Sequence, residues 1–242
     1  RTQYMNKKQQ AVGGIQWGRM LKKLNPYTIQ KGFRYLKHYG PKEFWIRLHE
    51  RFEPEEVPYG PWYEAYIPDA AELEKQKKHK FGYAPQISVA VPAFRTPEVF
   101  LRQMIQSLLD QTYPNWELCI ANGSPEDETM QKVLKEYAAM DKRVRFRDLG
   151  ENLGIAGNTN AALEMAEGEF VGLLDHDDLL HESALYECVK EIQKGADFIY
   201  TDEMKFSEDP SMSTDIVCKS GFGKDELRSH NYICHFVSYI LI

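Results

Sequence analysis

From residue 86 onward the chain alternates short apolar, β-branched runs with amphipathic stretches, and no other property restricts its fold so tightly. QISVAVPAF (86–94), WELCIANGS (116–124), VRFRDL (144–149), EFVGLLD (169–175) and ADFIYTDE (196–203) read as strands. Between the first two, VFLRQMIQSLLDQ sets Phe100, Leu101, Ile105, Leu108 and Leu109 on one helical stripe. SPEDETMQKVLKEYAAM predicts a second helix, with Ser124 or Pro125 at its start and acidic residues where the helix dipole favours them. IAGNTNAALEMAEG and DLLHESALYECVKEIQKG predict two more, the latter capped by Asp178. Strands joined through helices need crossover connections, so the pattern predicts an α/β fold with a largely parallel, doubly wound sheet. Such sheets bind ligands beyond the carboxyl ends of their strands.

The charge is unevenly spread. Residues 1–52 carry 12 Lys+Arg against 2 Asp+Glu, whereas residues 86–242 carry 14 against 27. YTIQKGFRYLKHYG repeats Ile29, Phe33, Leu36 and Tyr39 at helical spacing, Gly40-Pro41 interrupts it, and KEFWIRLHERF resumes with Phe44, Trp45, Leu48 and Phe52. This predicts a basic helical arm over 1–52, a helix pair suited to an anionic membrane surface or to the acidic body itself. Nucleic acid is set aside, because no recognition motif accompanies the charge. Residues 53–85 form a connector with Pro54, Pro58, Pro61 and Pro68, the aromatics Tyr59, Trp62, Tyr63 and Tyr66, and a short polar helix in AAELEKQKKHK. Residues 86–242 make the α/β domain. No run approaches the ~18 apolar residues of a transmembrane helix. The start lacks a signal-peptide h-region, and Cys119, Cys188, Cys218 and Cys234 form no CxxC pair. These traits suit a cytoplasmic protein with reduced thiols, peripheral at the inner face of the cell membrane.

The strand ends read PAFR, ANGS, DHDD and TDE. GxGxxG and GxxxxGK[ST] are absent, which argues against dinucleotide oxidoreductases and P-loop phosphotransferases. Carboxylates must carry the chemistry. Asp175, Asp177 and Asp178 repel one another unless a cation relieves the field, and a hard divalent ion, Mg²⁺ or Mn²⁺, binds through one or two carboxylates plus phosphate and water. Asp175 and Asp177 can divide the work, one toward a ribose and one toward metal and diphosphate, while Asp178 serves as the helix cap. By residue type alone, His176 and His181 read as packing or surface residues.

Taken in order, ISVAVPAFRTPEVFLRQMIQSLLDQTYPNWELCIANGS, ENLGIAGNTNAALEMAEGEFVGLLDHDD and DFIYTDEMKF resemble the nucleotide-binding half of an inverting glycosyltransferase of family 2. LRSHNYICHF is similar to the passage that leads into that family's acceptor half. The resemblance implies the GT-A fold, a Rossmann-like, mostly parallel sheet flanked by helices, here with an N-terminal helical arm. Within the family the chain is similar to bacterial enzymes of cell-surface polysaccharide synthesis. It implies a nucleotide-diphosphate sugar donor (UDP- or dTDP-sugar), a glycan or lipid-linked acceptor, and a Mg²⁺ or Mn²⁺ ion. Pro92, Ala93 and Phe94 would lie beside base and ribose. Asn122 stands where the family usually has an aspartate that accepts from a pyrimidine N–H. Asn152, Gly154, Asn158 and Asn160 would line the base and sugar pocket, with loop and helix-cap chemistry as their other reading. Asp175 and Asp177 match the D-x-D, with His176 between them in the nucleotide-sugar site and Asp177 the favoured metal ligand. Asp202 and Glu203 match a carboxylate pair near the meeting point of donor sugar and acceptor, and read otherwise as solvated strand-end charges.

Met204 replaces an acidic residue common in the similar cell-surface polysaccharide enzymes, and Ser220 to Lys224 replace a Pro- and Asp-containing stretch. The family's general base lies further along, beyond Ile242, and the final FVSYILI reads as a strand cut from a longer protein. A sugar-1-phosphate nucleotidyltransferase is a poorer reading, because PAFRTPE is no Gly- and Arg-rich triphosphate loop. The rival from another class is a non-catalytic module that binds nucleotide sugar or tethers an assembly to membrane.

Overall fold

The computed structural model describes residues 26–52, 67–206, 213–219, 221–234 and 236–240. Residues 53–66 of the predicted 53–85 connector and the first 25 residues of the basic arm lie outside the described residues. The chain divides into two compact units, residues 1–65 with 204–216, and residues 66–203 with 217–242.

In the first unit, α1 (Pro26–Phe52) is two helices joined at a kink, where Gly40 takes φ 82° and Pro41 follows. A left-handed φ suits glycine, and proline offers no N–H to the preceding turn, so the break falls where the Gly-Pro pair predicts it. Ile29, Phe33, Tyr39, Trp45 and Ile46 are exposed along it. This unit also holds most of a two-stranded pair, β6 (Glu203–Phe206) with β7 (Ser213–Val217). No helix among the described residues is long and apolar enough to cross a membrane.

The second unit begins with α2 (Ala70–Lys78), capped by Asp69, whose carboxylate accepts from Glu72 N–H. Gln76 docks this helix by accepting from the buried Thr112 hydroxyl at 2.9 Å. β1 (Ile87–Ala93), α3 (Glu98–Leu109), β2 (Trp116–Asn122), α4 (Glu128–Met140), β3 (Val144–Asp148), α5 (Gly154–Leu163), β4 (Phe170–Leu173), α6 (Ala184–Ile192) and β5 (Phe198–Tyr200) follow in alternation. After β6 and β7 come α7 (Lys224–Ser229) and β8 (Val237–Ile240). Among the described residues, six strands form one sheet in the order β3-β2-β1-β4-β8-β5. β1 pairs parallel with β2 and β4, and β2 with β3.

Side chains alternate across a strand, so neighbouring positions enter different cores. Val89, Val91, Leu118 and Ile120 pack with Leu101, Met104, Ile105 and Leu108 of α3, Val133 and Leu134 of α4, and Leu185 and Val189 of α6. Ala90, Ala121 and Val171 face the other way, against Ala161 and Ala162 of α5 and Leu149. Small residues on both partners let α5 approach the sheet closely.

Three details depart from the sequence reading. The last strand, β8, runs antiparallel and lies between β4 and β5, so the parallel order is interrupted. α4 starts after Asp127, whose carboxylate accepts from Thr129 and Met130 N–H, not at Ser124 or Pro125. The Ser124 hydroxyl is instead engaged by Arg95 N–H. α6 starts after Ser183, five residues beyond the Asp178 cap that the pattern predicts. There the backbone is drawn to α3 and the turn after it: Leu180 N–H donates to Ser107 Oγ at 3.2 Å, and Glu182 carbonyl accepts from Thr112 N–H at 2.8 Å.

β8 owes its place to Phe236, which lies over Gly172 of β4. A Cβ on Gly172 would collide with the Phe236 ring. We therefore expect Gly172→Ala to lower stability by about 1–3 kcal/mol, the usual cost of overpacking a core, read as a lower denaturant midpoint. Recovery in a Gly172→Ala, Phe236→Leu double variant would tie the loss to this ring, and an unchanged midpoint in the single variant would refute the contact.

Candidate active site

The carboxyl ends of β1 to β5 share one edge of the sheet, and the register aligns them. Ala93, Asn122 and Asp148 stand on one rung across β1, β2 and β3. Leu173 of β4 and Tyr200 of β5 both pair with Val237 of β8. Asp175 and Asp202 each follow two residues past that second rung, separated by about 10 Å, two inter-strand spacings, at the rung itself.

At the end of β1, Pro92 and Phe94 are half-buried and Ala93 is buried. Arg95, which the sequence reading did not single out, has φ 48°, a conformation that costs a non-glycine residue of order 1–3 kcal/mol. Ser124 Oγ, accepting its N–H at 2.9 Å, holds it there. Its guanidinium lies over the Phe94 ring, 5.1 Å from the centroid. A backbone conformation of this kind leaves no trace in residue type or period.

Asn122 is fully buried. Its Nδ2 donates to Asp148 Oδ1 at 2.8 Å, its Oδ1 accepts from Ser124 N–H at 3.0 Å, and Gln131 Nε2 also donates to Asp148 Oδ1. Asp148 thus presents an exposed carboxylate beside the amide. A cleft of ≈ 540 Å³ is lined by Pro125, Glu128, Gln131, Lys132, Lys135 and Asp148, so only Asp148 belongs both to it and to the row of strand ends.

Next to Asn122, Gly123 N–H donates to Ala93 carbonyl at 2.8 Å. A Cβ on Gly123 would lie 2.7 Å from Asn158 Nδ2 and 3.2 Å from Asn152 Oδ1. Asn158 Nδ2 donates to Asn152 Oδ1 at 2.9 Å, and the Leu153 and Gly154 amides donate to Asn158 Oδ1 and Asn152 Oδ1. Gly154 takes φ 73° as the chain turns into α5. These asparagines brace the turn that leads into α5 against the ends of β1 and β2, while the cap residue Leu153 offers no side-chain bond. Asn160 is not part of this group; it is exposed, two residues further along the helix and so on another side of it.

Past β4, Asp178 N–H donates to Asp175 carbonyl at 3.3 Å, folding DHDD into a turn. Asp177 is its open member, with a side chain 57% exposed. His176 Nδ1 is buried without a hydrogen-bond partner among the described residues and lies 4.0 Å from Asp177 Oδ1. No three His, Cys, Asp or Glu side chains among the described residues stand close enough together to hold a cation. Carboxylate oxygens such as those of Asp175 and Asp177 are hard donors, of which a divalent ion takes one or two before phosphate and water complete its shell.

Past β5, Thr201 N–H donates to Phe236 carbonyl and Thr201 Oγ1 accepts from Phe236 N–H, joining this end to the start of β8. Asp202 Oδ1 accepts from the backbone N–H of Lys219 at 2.6 Å, and Lys219 Nζ lies 3.4 Å from Glu203 Oε2. Lys219 is the second residue that the sequence reading passed over, since an isolated lysine beside a glycine-rich loop carries no motif.

The sequence profile of glycosyl transferase family 2 matches residues 88–222, the stretch that builds this row of strand ends. The chain belongs to glycosyl transferase family 2. This family 2 glycosyltransferase domain is 41% identical over 155 residues to the uncharacterized protein y4gI of Sinorhizobium fredii (strain NBRC 101917 / NGR234), a match that covers 62% of this chain and 17% of that protein. It is 30% identical over 184 residues to chondroitin synthase of Pasteurella multocida (strain Pm70), covering 75% of this chain and 18% of the synthase. Among solved structures, S. aureus TarS 1-349 in complex with UDP-GlcNAc is similar at 28% identity and a TM-score of 0.45, over 50% of this chain and 34% of that one. The chain spans less than a fifth of the length of the two curated relatives. The six-stranded, mostly parallel sheet is the framework that family membership leads one to expect.

Proposed function

We propose that the protein is a metal-dependent inverting glycosyltransferase that moves a sugar from UDP- or dTDP-sugar to a hydroxyl of a glycan or lipid-linked acceptor during cell-surface polysaccharide synthesis. The observation that carries this reading is the exposed Asp177 carboxylate, with Asp175, at the end of β4 in a family 2 domain. Pro92, Ala93 and Phe94 would border base and ribose, and Asn122 would act there through its pair with Asp148. Asn152, Gly154 and Asn158 would shape the pocket wall. Asp175 and Asp177 would hold a Mg²⁺ or Mn²⁺ ion, which when bound supplies Lewis-acid stabilisation of the charge on a leaving diphosphate.

Inversion needs a single displacement. The acceptor oxygen gives up its proton to a carboxylate and forms a bond to the anomeric carbon, while the bond to the diphosphate breaks on the opposite side and its electrons leave with the nucleotide. Asp202 and Glu203, at the end of β5, would accept hydrogen bonds from the donor sugar where it meets the acceptor. Binding of UDP or dTDP that requires Mn²⁺ and Asp177 is the measurement that tests the assignment. Such binding without sugar transfer or hydrolysis by the full-length protein would favour the non-catalytic alternative.

A second observation bears on location. Phe33 is 68% exposed and Trp45 54%, on a helix that also carries Lys31, Arg34, Lys37, Lys42 and Arg47. Apolar and basic side chains displayed together suit the surface of an anionic membrane. We expect the protein to float with liposomes containing anionic lipid and to be released by salt; failure to float would remove the membrane contact.

A further inference from the structure

We infer that Lys219 is a positioning residue that fixes the Asp202–Glu203 pair against the donor sugar, an inference that rests on the sugar-facing reading of that pair. The Lys219 side chain is 2% exposed. Removing an ammonium from water costs several kcal/mol, and the cost is offset only by partners of good geometry. Here Nζ donates to Ile233 carbonyl at 2.8 Å and meets Glu203 Oε2 at 3.4 Å. The backbone N–H of the same residue donates to Asp202 Oδ1 at 2.6 Å. One residue therefore ties three segments together: the strand end at 202–203, its own loop, and Ile233 ahead of β8. The reciprocal bonds between Thr201 and Phe236 anchor the same junction one residue earlier.

The arrangement occupies one oxygen of each carboxylate with a donor from Lys219 and keeps the second oxygen of each for a hydroxyl. Unheld, two adjacent acidic side chains would turn apart into water, and their hydrogen bonds to a sugar would have to repay that lost freedom. Simple structural cohesion gives a poor account of this lysine. A buried ion pair adds little to stability compared with an apolar side chain of the same volume, whereas a fixed ammonium orients a carboxylate.

The test is equilibrium binding to the full protein in Mn²⁺, by calorimetry, of UDP, dTDP and a panel of UDP- and dTDP-sugars. The readout is how much tighter the best sugar nucleotide binds than its own nucleotide diphosphate, a gain expected to be about tenfold. Lys219→Gln keeps a donor for Ile233 carbonyl but removes the charge. It should abolish the tenfold gain while leaving affinity for the nucleotide diphosphate within about twofold. Lys219→Arg, which keeps the charge, should restore part of the gain, and it decides the matter should the Gln variant fail to fold. In a Glu203→Gln background, Lys219→Gln should add no further loss, because the two act as one unit. If Asp202→Asn and Glu203→Gln leave the gain intact, or the wild type shows none, the sugar-facing reading of the pair fails. If those variants abolish it while Lys219→Gln retains it, or if nucleotide affinity falls in parallel with the gain, the inference about Lys219 is overturned.

Discussion

Asp177→Ala is expected to remove Mn²⁺-dependent binding of UDP and dTDP. Asp177 stands in the turn past β4 with an open side chain, and oxygen donors of its kind suit Mg²⁺ or Mn²⁺. As proposed, Asp175 and Asp177 would provide only part of the shell, with phosphate and water completing it, so protein, ion and diphosphate would bind together. Losing one of those two ligands would then weaken every partner. Removing even an outer-shell partner commonly costs roughly 10–100-fold in metal affinity, and a direct ligand should cost at least the upper end of that range. Asp177→Asn, which keeps an oxygen without the charge, should fall between wild type and Ala. Because the side chain is largely solvated, the unfolding free energy should barely move, within about ±0.5 kcal/mol, so that lost binding can be assigned to the site. Titration of Mn²⁺ with UDP or dTDP that returns wild-type affinity in the Ala variant would falsify the metal assignment.

Glu117→Ala should produce the largest loss of stability, about 3 kcal/mol or more. This carboxylate is buried at the amino edge of the sheet, where Oε1 accepts from Ser88 Oγ and from Glu167 N–H, each at 2.6 Å, and Oε2 accepts from Arg145 Nη1 at 2.6 Å. Ser88 Oγ in turn accepts from Gly168 N–H at 2.9 Å. Truncation leaves a buried hydroxyl and an amide without their acceptor. Arg145, about a third exposed at 36%, can turn to water, which keeps the cost near the lower end for a broken buried pair. Burial pushes the Glu117 carboxyl up, but the bonds from Ser88, Glu167 N–H and Arg145 outweigh it and hold the group below its ordinary value. A depressed folded value means that the unfolded chain takes up the proton first as pH falls. The contribution is fully present above the unfolded value, about 4.3, and is lost as pH drops through the folded value. The stability gap between wild type and Glu117→Gln, measured by denaturant unfolding from pH 7 to pH 3, should therefore narrow below about pH 4.3. A gap that stays constant or widens in acid would contradict this network.

Two thiols illustrate how far environment departs from residue type. Cys119 and Cys188 are buried, and burial pushes each up to about 12, so neither is a nucleophile at neutral pH.

The parts of this protein that the amino-acid sequence determined by itself are those set by local rules. Alternation of apolar runs placed β1 to β5 and the helices between them, because the periods of strand and helix are written in neighbouring residues. Gly40-Pro41 broke α1 through backbone sterics alone, and the order of motifs from 88 to 222 marked the family. Tertiary structure decided whatever depends on residues far apart in the chain. β8 entered the sheet between β4 and β5 because Phe236 fits over Gly172, a contact spanning more than sixty positions. Bonds from Ser124 to Arg95, and from the 180–182 segment to Ser107 and Thr112, moved the starts of α4 and α6 away from their apparent caps. The Asn122–Asp148 pair, the left-handed Arg95 and the buried Lys219 arose in the same way. Asn122 and Lys219 are polar groups whose burial is tolerable only with a partner that the fold, and no local pattern, brings within reach, and the Arg95 backbone is held by Ser124 in the same long-range way.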